Sequence, residues 1–401
     1  MTVPQPDVSV IIGAYEAMPY LVECLKSVEA QTIGPGRMEV IAVDDGSTDG
    51  TGEYLEEFAA RVAIPVTVIR QQNSGGPSGP RNVGLGRATG RFVFFLDADD
   101  RLGPEALERM VAAADRNGTD VVLGRVEGVN RSAPKSMWGK SLDRTDVYSS
   151  NIKFTLSAQK LFRRELLSRH GMRFDESLWT GEDALFTMEA YLRADGVSVV
   201  ADYTCYYLVG RTDGKHVTKS GGYELRFDSA RALMGLITAL VPAGHRRDVL
   251  MLRPFLITLL PQFGPVFLKD SEKVRRHKLE LAKPLMDAHW TPEVARRVKV
   301  NERLRLHLVA EQRLDLLVEI IEFVRAKKQA AALLERRRSR VYLAYPHFRE
   351  RTAGIPDWVY LAETREAQVF PGYRESRSLT RRVWRRARRM MTPTGGGAAA
   401  A

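Results

Sequence analysis

Two aspartates, Asp97 and Asp99, follow directly on a continuous apolar stretch, residues 91–96, and the small Ala98 separates them. Residues two apart on an extended segment point the same way, so both carboxylates can share one site. Carboxylates clustered at the end of an apolar strand are costly unless a cation lies beside them, and Mg²⁺ and Mn²⁺ prefer oxygen ligands. The motif therefore predicts a divalent-cation site. The alternative is an acidic turn that caps the following helix.

A second acidic pair, Asp44 and Asp45, follows another apolar stretch, residues 38–43. Carboxylates at this place can accept hydrogen bonds from a nucleobase or a ribose. They also precede a helical pattern, residues 48–61, whose start the side chains of residues 47–49 can cap. The polar run is long enough for both roles, so both stay open.

A loop rich in glycine and proline, residues 73–82, follows a third strand-like stretch. Its three glycines and two prolines restrict its shape and leave backbone N–H groups accessible to an anion. Arg81 adds a planar guanidinium suited to a phosphate or a carboxylate. A surface Ω-loop is the alternative. The glycines that follow at 84, 86 and 90 do not form a dinucleotide-binding fingerprint, because their spacing is wrong and they precede a strand.

Two further groups of candidates lie later in the chain. Glu182 and Asp183 follow a glycine and open a helical pattern, where a carboxylate can be a helix cap or a general base. Arg211 and His216 follow a strand-like stretch. A histidine near an acidic metal site can be a ligand or a diphosphate contact, although an isolated histidine can equally be structural.

The order of the patterns predicts the fold class. Apolar strand patterns alternate with helical patterns over the first 125 residues, which predicts an α/β fold with a mostly parallel sheet flanked by helices. Ligands bind at the carboxyl ends of the strands in such sheets, so we expect the polar clusters to meet at one edge. From about residue 221, leucine and basic residues recur at helical spacing, which predicts a mainly helical C-terminal region.

These patterns suggest four parts of the chain. We expect a catalytic domain over 1–222, a helical linker or oligomerisation region over 223–335, a small segment over 336–378, and a basic amphipathic helix with its tail over 379–401. The helix, residues 379–391, suits an anionic membrane surface or a polyanionic acceptor, and a solvated end without a partner is the alternative.

Composition narrows the class of protein. The net charge of +11 favours anionic partners, but the sequence holds no recognisable nucleic-acid motif, so we expect no nucleic acid to bind. The two cysteines, Cys24 and Cys205, exclude a disulfide framework and a cysteine metal cluster. The polar N-terminus does not resemble a signal peptide, and prolines interrupt the most apolar stretch, residues 252–268. We therefore expect a cytoplasmic protein that can lie at the inner face of the cell membrane, and a buried, broken helix over 252–268.

Several motifs together resemble the family 2 glycosyltransferases of the GT-A fold. They are residues 8–15 and 43–49, Asp97-Ala98-Asp99 and Gly181-Glu182-Asp183. A closer similarity is to the bacterial enzymes that attach N-acetylglucosamine to poly(ribitol phosphate) wall teichoic acid. It is carried by residues 73–77, 80–82 and 128–131, and by Tyr206-Tyr207 with Arg211 and His216. The similarity fades after about residue 225. Where the family has Pro-x-Tyr-Asn after its first strand, this chain has Gly13-Ala14-Tyr15-Glu16, which leaves the details of base recognition open.

The resemblance implies an inverting transfer of a sugar, N-acetylglucosamine from its UDP derivative, to an anionic cell-envelope glycopolymer. It implies that Asp183 is the catalytic base, supported by Glu182, and that Mn²⁺ or Mg²⁺ lies at Asp99 and His216. The implied donor contacts are Tyr15, Asp45, Asn73, Arg81, Asp97, Ala98, Arg131 and Arg211. A homotrimer is also implied. The alternatives are an exopolysaccharide or lipid-linked acceptor, and a non-catalytic polyanion-binding protein.

Overall fold

A computed structural model describes residues 5–135, 137–211, 221–326, 333–337, 340–363 and 366. His216 and residues 379–391 lie outside the described residues, so the predictions made for them stay predictions.

Nine strands in the described part of the chain form one sheet. They are β1 (Val8–Ala14), β2 (Met38–Asp44), β3 (Val66–Arg70), β4 (Phe92–Asp97), β5 (Arg101–Leu102), β6 (Val121–Val129), β7 (Leu142–Thr145), β8 (Leu161–Arg163) and β9 (Val197–Val209). Their order is β3-β2-β1-β4-β8-β6-β9-β5, and β7 also pairs with β9. The neighbours β3, β2, β1 and β4 are parallel, whereas β8 lies antiparallel between β4 and β6. The sheet is mostly parallel, as predicted.

Helices flank this sheet. In the first half of the chain they are α1 (Tyr20–Glu29), α2 (Thr51–Arg61), α3 (Ser78–Leu85), α4 (Ala106–Asn117), α5 (Arg164–Arg169) and α6 (Glu182–Arg193). Helix α1 buries the side chains of Leu21, Cys24, Leu25 and Val28, which recur at helical spacing. Gly118 ends α4 in the left-handed region at φ 60°, a conformation that glycine adopts without a steric penalty.

The second half of the chain is mainly helical, as predicted. Its helices are α7 (Glu224–Leu240), α8 (His245–Arg253), α9 (Glu272–His289), α10 (Pro292–Ala295), α11 (Val300–Ala310) and α12 (Leu314–Arg325). After α8 the chain continues in a π-helical turn, Pro254–Leu259, and two 3₁₀ turns. The helix is thus broken where its prolines lack a backbone N–H. By length and composition alone, the run His245–Lys269 is the one helical run in the described part of the chain that could cross a membrane, a property that buried core helices share.

The chain divides into two compact units. One comprises the described residues up to Val298 together with Val309–Leu314, and it contains the nine-stranded sheet. The other comprises Lys299–Leu308 and the described residues from Asp315 onward. It contains a small antiparallel sheet formed by β10 (Leu333–Arg337), β11 (Arg340–Ala344) and β12 (Leu361–Ala362). The four-part division proposed above stays a prediction.

Candidate active site

The segment 73–82 is only partly a loop, which corrects the prediction made from its glycines and prolines. Residues from Ser78 onward form α3, and Arg81 and Asn82 lie on its buried face. Pro80 is compatible with this helix because it stands in the first turn, where the backbone N–H has no partner within the helix. The Asn82 side chain donates to the Phe174 carbonyl at 2.9 Å and accepts from the Phe174 N–H at 2.8 Å.

Arg81 joins two acidic elements that are distant in the chain. Its Nη2 donates to Asp97 Oδ1 at 2.8 Å, at the end of β4. Its Nη1 donates to Glu182 Oε1 at 3.2 Å, at the start of α6. Burial acts to lower the pKa of Arg81, but the charges of Asp97 and Glu182 outweigh burial and raise it. The guanidinium is therefore firmly charged, and its partners within the protein are carboxylates.

The turn after β4 concentrates negative charge. The carboxylate of Asp97 is held from its other side by Gln159, whose Nε2 donates to Oδ2 at 2.6 Å. Asp100 closes the turn, because its N–H donates to the Asp97 carbonyl at 3.0 Å. Ala98 is buried beneath the turn, and the Asp99 side chain is half-buried.

Asp100 is a buried carboxyl that anchors this turn to β9. Its Oδ2 accepts from the Tyr206 hydroxyl at 2.7 Å and its Oδ1 accepts from the Val209 N–H at 2.7 Å. Burial, followed by the charges of Asp97 and Asp99, raises the pKa of Asp100 to about 8. Mutual repulsion among these carboxylates is the electrostatic condition that a bound cation would relieve.

Helix α6 begins with the two carboxyl residues predicted as candidates. Gly181 precedes them at φ 88°, and a Cβ added there would lie 2.8 Å from the Ser229 side chain. Burial, with the charge of Asp183, raises the pKa of Glu182 to about 7. Burial also raises the pKa of Asp183, although the charges of Arg81 and Lys160 oppose the shift. A carboxylate with a raised pKa is the stronger base at neutral pH.

Asp45 organises the loop after β3. Both of its carboxylate oxygens accept hydrogen bonds from Ser74, whose N–H donates at 3.1 Å and whose hydroxyl donates at 2.9 Å. Gln71 donates to the same carboxylate at 2.6 Å. Asn73 accepts from the Gly75 N–H at 2.8 Å and so shapes the loop as well. The ends of β2 and β3 are thus joined at the predicted edge of the sheet.

The remaining candidates lie around this edge or outside the described residues. Arg211 follows β9 and donates to the Glu16 carbonyl at 2.9 Å, with its guanidinium 5.0 Å from the Tyr20 ring centre. Tyr15, just after β1, is exposed. Arg131 is exposed just beyond β6. Contacts therefore bring Arg81, Asp97 and Glu182 together next to Asp183, and Arg211 reaches the segment that follows β1.

Comparison with known proteins places the chain in a family. Residues 9–171 match the family model of Glycosyl transferase family 2, and residues 224–321 match that of the Glycosyl transferase TarS linker domain. Staphylococcus aureus TarP, a poly(ribitol-phosphate) beta-N-acetylglucosaminyltransferase, is 33% identical over 54% of this chain and 68% of its own length. The chain belongs to glycosyltransferase family 2.

Other relatives within family 2 confirm the closer resemblance and the GT-A fold. The Bacillus spizizenii poly(ribitol-phosphate) beta-glucosyltransferase is 40% identical over 53% of this chain, and S. aureus TarS is 38% identical over 53%. These matches span only 33% and 37% of the two relatives' own lengths. A crystal structure of a TarS fragment in complex with UDP-GlcNAc has a TM-score of 0.77 and 28% identity, covering 89% of this chain and 99% of the fragment.

Two residues of this family 2 site were not predicted, Gln159 and Lys160. They precede β8, which runs antiparallel to β4 with Phe94 opposite Leu161. The residues before β8 therefore lie beside the carboxyl end of β4, where Gln159 reaches Asp97. A polar pair before an apolar strand is the available sequence signal, but strand direction cannot be read from one sequence.

Lys160 is almost fully buried, and its ammonium donates to the carbonyl and the hydroxyl of Ser157. Burial lowers its pKa from 10.5 to about 7, although the charge of Asp183 opposes the shift. Between these pH values the unfolded chain binds the proton more tightly, so the parent loses stability as pH falls from 10.5 towards 7. The free energy of unfolding of Lys160→Met, relative to that of the parent, should therefore increase as pH falls over that range. Urea unfolding at several pH values measures this difference.

The exposed Lys140 provides the control for this experiment. Lys140→Met should show the same difference from the parent at every pH, because water surrounds an exposed ammonium in the folded chain much as it does in the unfolded chain. A difference for Lys160→Met that did not change with pH would contradict the buried, perturbed ammonium.

Proposed function

We propose that the chain is an inverting glycosyltransferase that moves N-acetylglucosamine from UDP-GlcNAc to a hydroxyl of an anionic envelope polymer of the poly(ribitol phosphate) type. The observation that carries the proposal is the convergence of Asp97 and Glu182 on one guanidinium, Arg81, next to Asp183. The similarity to TarS, whose fragment was crystallised with UDP-GlcNAc, supports the choice of donor. The names of the relatives support the choice of acceptor.

In this proposal Asp183 is the general base. Its carboxylate takes the proton from the acceptor hydroxyl as that oxygen attacks the anomeric carbon, on the face opposite the departing UDP. Its raised pKa makes it a stronger base than an ordinary aspartate. Glu182 and Arg81 hold the start of α6 against the turn after β4, so they fix the position of the base relative to the donor.

The donor would lie along the edge formed by β1, β2 and β4. Tyr15, Asp45 and Asn73 would hold the uridine, Asp45 chiefly by shaping the loop that it binds. Asp97, Ala98 and Arg131 would line the ribose and sugar. Arg81, with Arg211 and His216, would favour the negative charge that develops on the leaving diphosphate.

The turn after β4 fits a divalent cation that the donor's phosphates help to bind. Among the described residues, no group of three or more His, Cys, Asp or Glu side chains is arranged to hold a metal ion. Mg²⁺ and Mn²⁺ commonly need only one or two carboxylates besides the phosphates of a substrate. Asp99, in the strongly acidic turn, would be that ligand, with His216 as a second. Bound there, the cation would neutralise charge on the departing diphosphate.

Removing the metal is therefore expected to stop the reaction. Excess EDTA should reduce transfer by about 10²-fold or more, because a bound cation contributes several kcal/mol of charge stabilisation, and added Mn²⁺ should restore it. Asp99→Asn should be nearly inactive and should respond weakly to Mn²⁺, as measured by release of UDP. Asp143→Asn, at an exposed position on β7, is the control and should behave like the parent. Full activity of the parent in excess chelator would contradict the metal site.

The experiment that tests the function itself combines a donor screen with an acceptor screen. We expect the protein to hydrolyse UDP-GlcNAc slowly and to transfer the sugar to poly(ribitol phosphate). Transfer only to an exopolysaccharide or a lipid-linked oligosaccharide would mean that the proposed acceptor is wrong. The absence of hydrolysis or transfer with any nucleotide sugar would favour a polyanion-binding protein.

Three further predictions are a trimer, a cytoplasmic location and a membrane contact through residues 379–391. Light scattering, cell fractionation and liposome flotation, respectively, test them.

A further inference from the structure

Arg253 is a half-buried arginine that the proposed mechanism does not use. It is the last residue of α8, and its Nη1 donates weakly to the Thr258 hydroxyl at 3.3 Å. Its Nε is buried, and among the described residues it has no hydrogen-bond partner. Arg253 also forms no ion pair with any of the described residues. A guanidinium with a buried, unsatisfied Nε and no counter-charge is costly, so an anionic ligand that reached it would gain a charge-assisted hydrogen bond.

The charge of the proposed base, Asp183, acts on this cation. Burial lowers the pKa of Arg253, and the charge of Asp183 acts in the opposite direction. The carboxylate of Asp183 is therefore close enough to act on the guanidinium electrostatically, but the two groups do not form an ion pair. Both residues belong to the same compact unit.

Helix α7 connects Arg253 to the loop that carries the base. Arg226 Nη1 donates to the Thr180 hydroxyl at 2.9 Å, and the Ser229 hydroxyl donates to the Thr180 carbonyl. Helix α7 also packs against α8 and against the turn that follows it. The loop before Glu182 and the end of α8 are therefore held by one helix.

The backbone after Arg253 is unusual. Residues Pro254–Leu259 form a π-helical turn, whose hydrogen bonds span one residue more than those of an α-helix. π-helical turns are rare and frequently occur at functional sites. Here the turn begins immediately after Arg253.

We propose that Arg253 binds a phosphodiester of the acceptor chain, beside the hydroxyl that Asp183 deprotonates. The inference rests on the proposed function, which supplies an anionic acceptor. In poly(ribitol phosphate) every free hydroxyl lies close to a phosphodiester, so a base and a cation placed side by side match the acceptor. The donor diphosphate is the other source of phosphate, but its proposed contacts are Arg81, Arg211 and the cation at Asp99.

The test compares Arg253→Gln with the parent in three assays. We expect the KM for poly(ribitol phosphate) to rise by about tenfold or more, because a charge-assisted hydrogen bond to phosphate is lost. The KM for UDP-GlcNAc and its hydrolysis without acceptor should stay within about twofold. Arg253→Lys keeps the charge, so its KM for poly(ribitol phosphate) should lie between those of the parent and Arg253→Gln. Arg246→Gln, on the same helix with its guanidinium 4.9 Å from the Tyr148 ring centre, is the matched control.

A measurement on the parent protein guards against misfolding of the variant. Ribitol 5-phosphate should inhibit transfer competitively with the polymer, and uncharged ribitol should inhibit far less. An unchanged acceptor KM in Arg253→Gln, an equal loss of donor binding, or equal inhibition by ribitol and its phosphate would each overturn the inference. A parent that hydrolyses the donor but glycosylates only uncharged acceptors would also overturn it. A parent that hydrolyses no nucleotide sugar would instead contradict the proposed function.

Discussion

Asp183→Asn is expected to reduce sugar transfer by about 10³-fold, since removal of a general base typically costs 10²–10⁴-fold. Asparagine has nearly the same shape and can still accept a hydrogen bond from the Ala184 N–H, as Asp183 does at 2.7 Å. Binding of UDP-GlcNAc should therefore change little. Release of UDP in the presence of acceptor measures the first effect, and titration calorimetry with UDP-GlcNAc measures the second.

Glu189→Gln, on the same helix, is the matched control, because Glu189 pairs with Arg193 and lies away from the helix start. It should retain the activity of the parent. The parent should also gain activity as pH rises through the raised pKa of Asp183, because the base works only when it is deprotonated. An Asp183→Asn variant that kept its transfer rate but lost donor binding would show that Asp183 belongs to the donor site.

Arg81→Met is expected to lower the free energy of unfolding by about 3 kcal/mol or more at pH 8, the cost of breaking a buried ion pair on one side. Methionine would fill the space but leave Asp97 and Glu182 without their shared cation. The pKa of Glu182 is about 7 even with Arg81 present, so Glu182 takes up a proton as pH falls below that value. The loss should therefore shrink between pH 8 and pH 5, as measured by urea unfolding.

The matched control is Arg91→Met. Arg91 also bridges two carboxylates, those of Asp7 and Asp115, but its side chain is 37% exposed where that of Arg81 is 10% exposed. Water can solvate the two carboxylates once Arg91 is removed, so we expect the free energy of unfolding to fall by about 1 kcal/mol or less. Equal losses for Arg81→Met and Arg91→Met would mean that burial does not determine how much these ion pairs stabilise the fold.

Sequence reasoning found most of the sheet and its acidic clusters but not all of their surroundings. The apolar stretch before Asp97 forms strand β4, as expected, and the turn that follows contains Asp100 in addition to the predicted Asp97 and Asp99. The segment 73–82 was predicted as a loop because it is rich in glycine and proline, yet it enters α3 at Ser78. Local propensity gave the wrong answer there because burial of the Arg81 and Asn82 side chains against distant partners favours the helix.

Periodicity and motif spacing were enough to predict which strands end in polar side chains, since these are properties of neighbouring residues. Arg81 pairs with Glu182 across 101 positions of the chain, and Gln159 pairs with Asp97 across 62 positions. Such contacts depend on strand order and direction, which one sequence does not reveal. The burial of Lys160 and the partial burial of Arg253 likewise depend on the surrounding fold and could not be predicted from the sequence. The sequence thus determined the chemistry available at the edge of the sheet, and the tertiary structure decided which charges meet there.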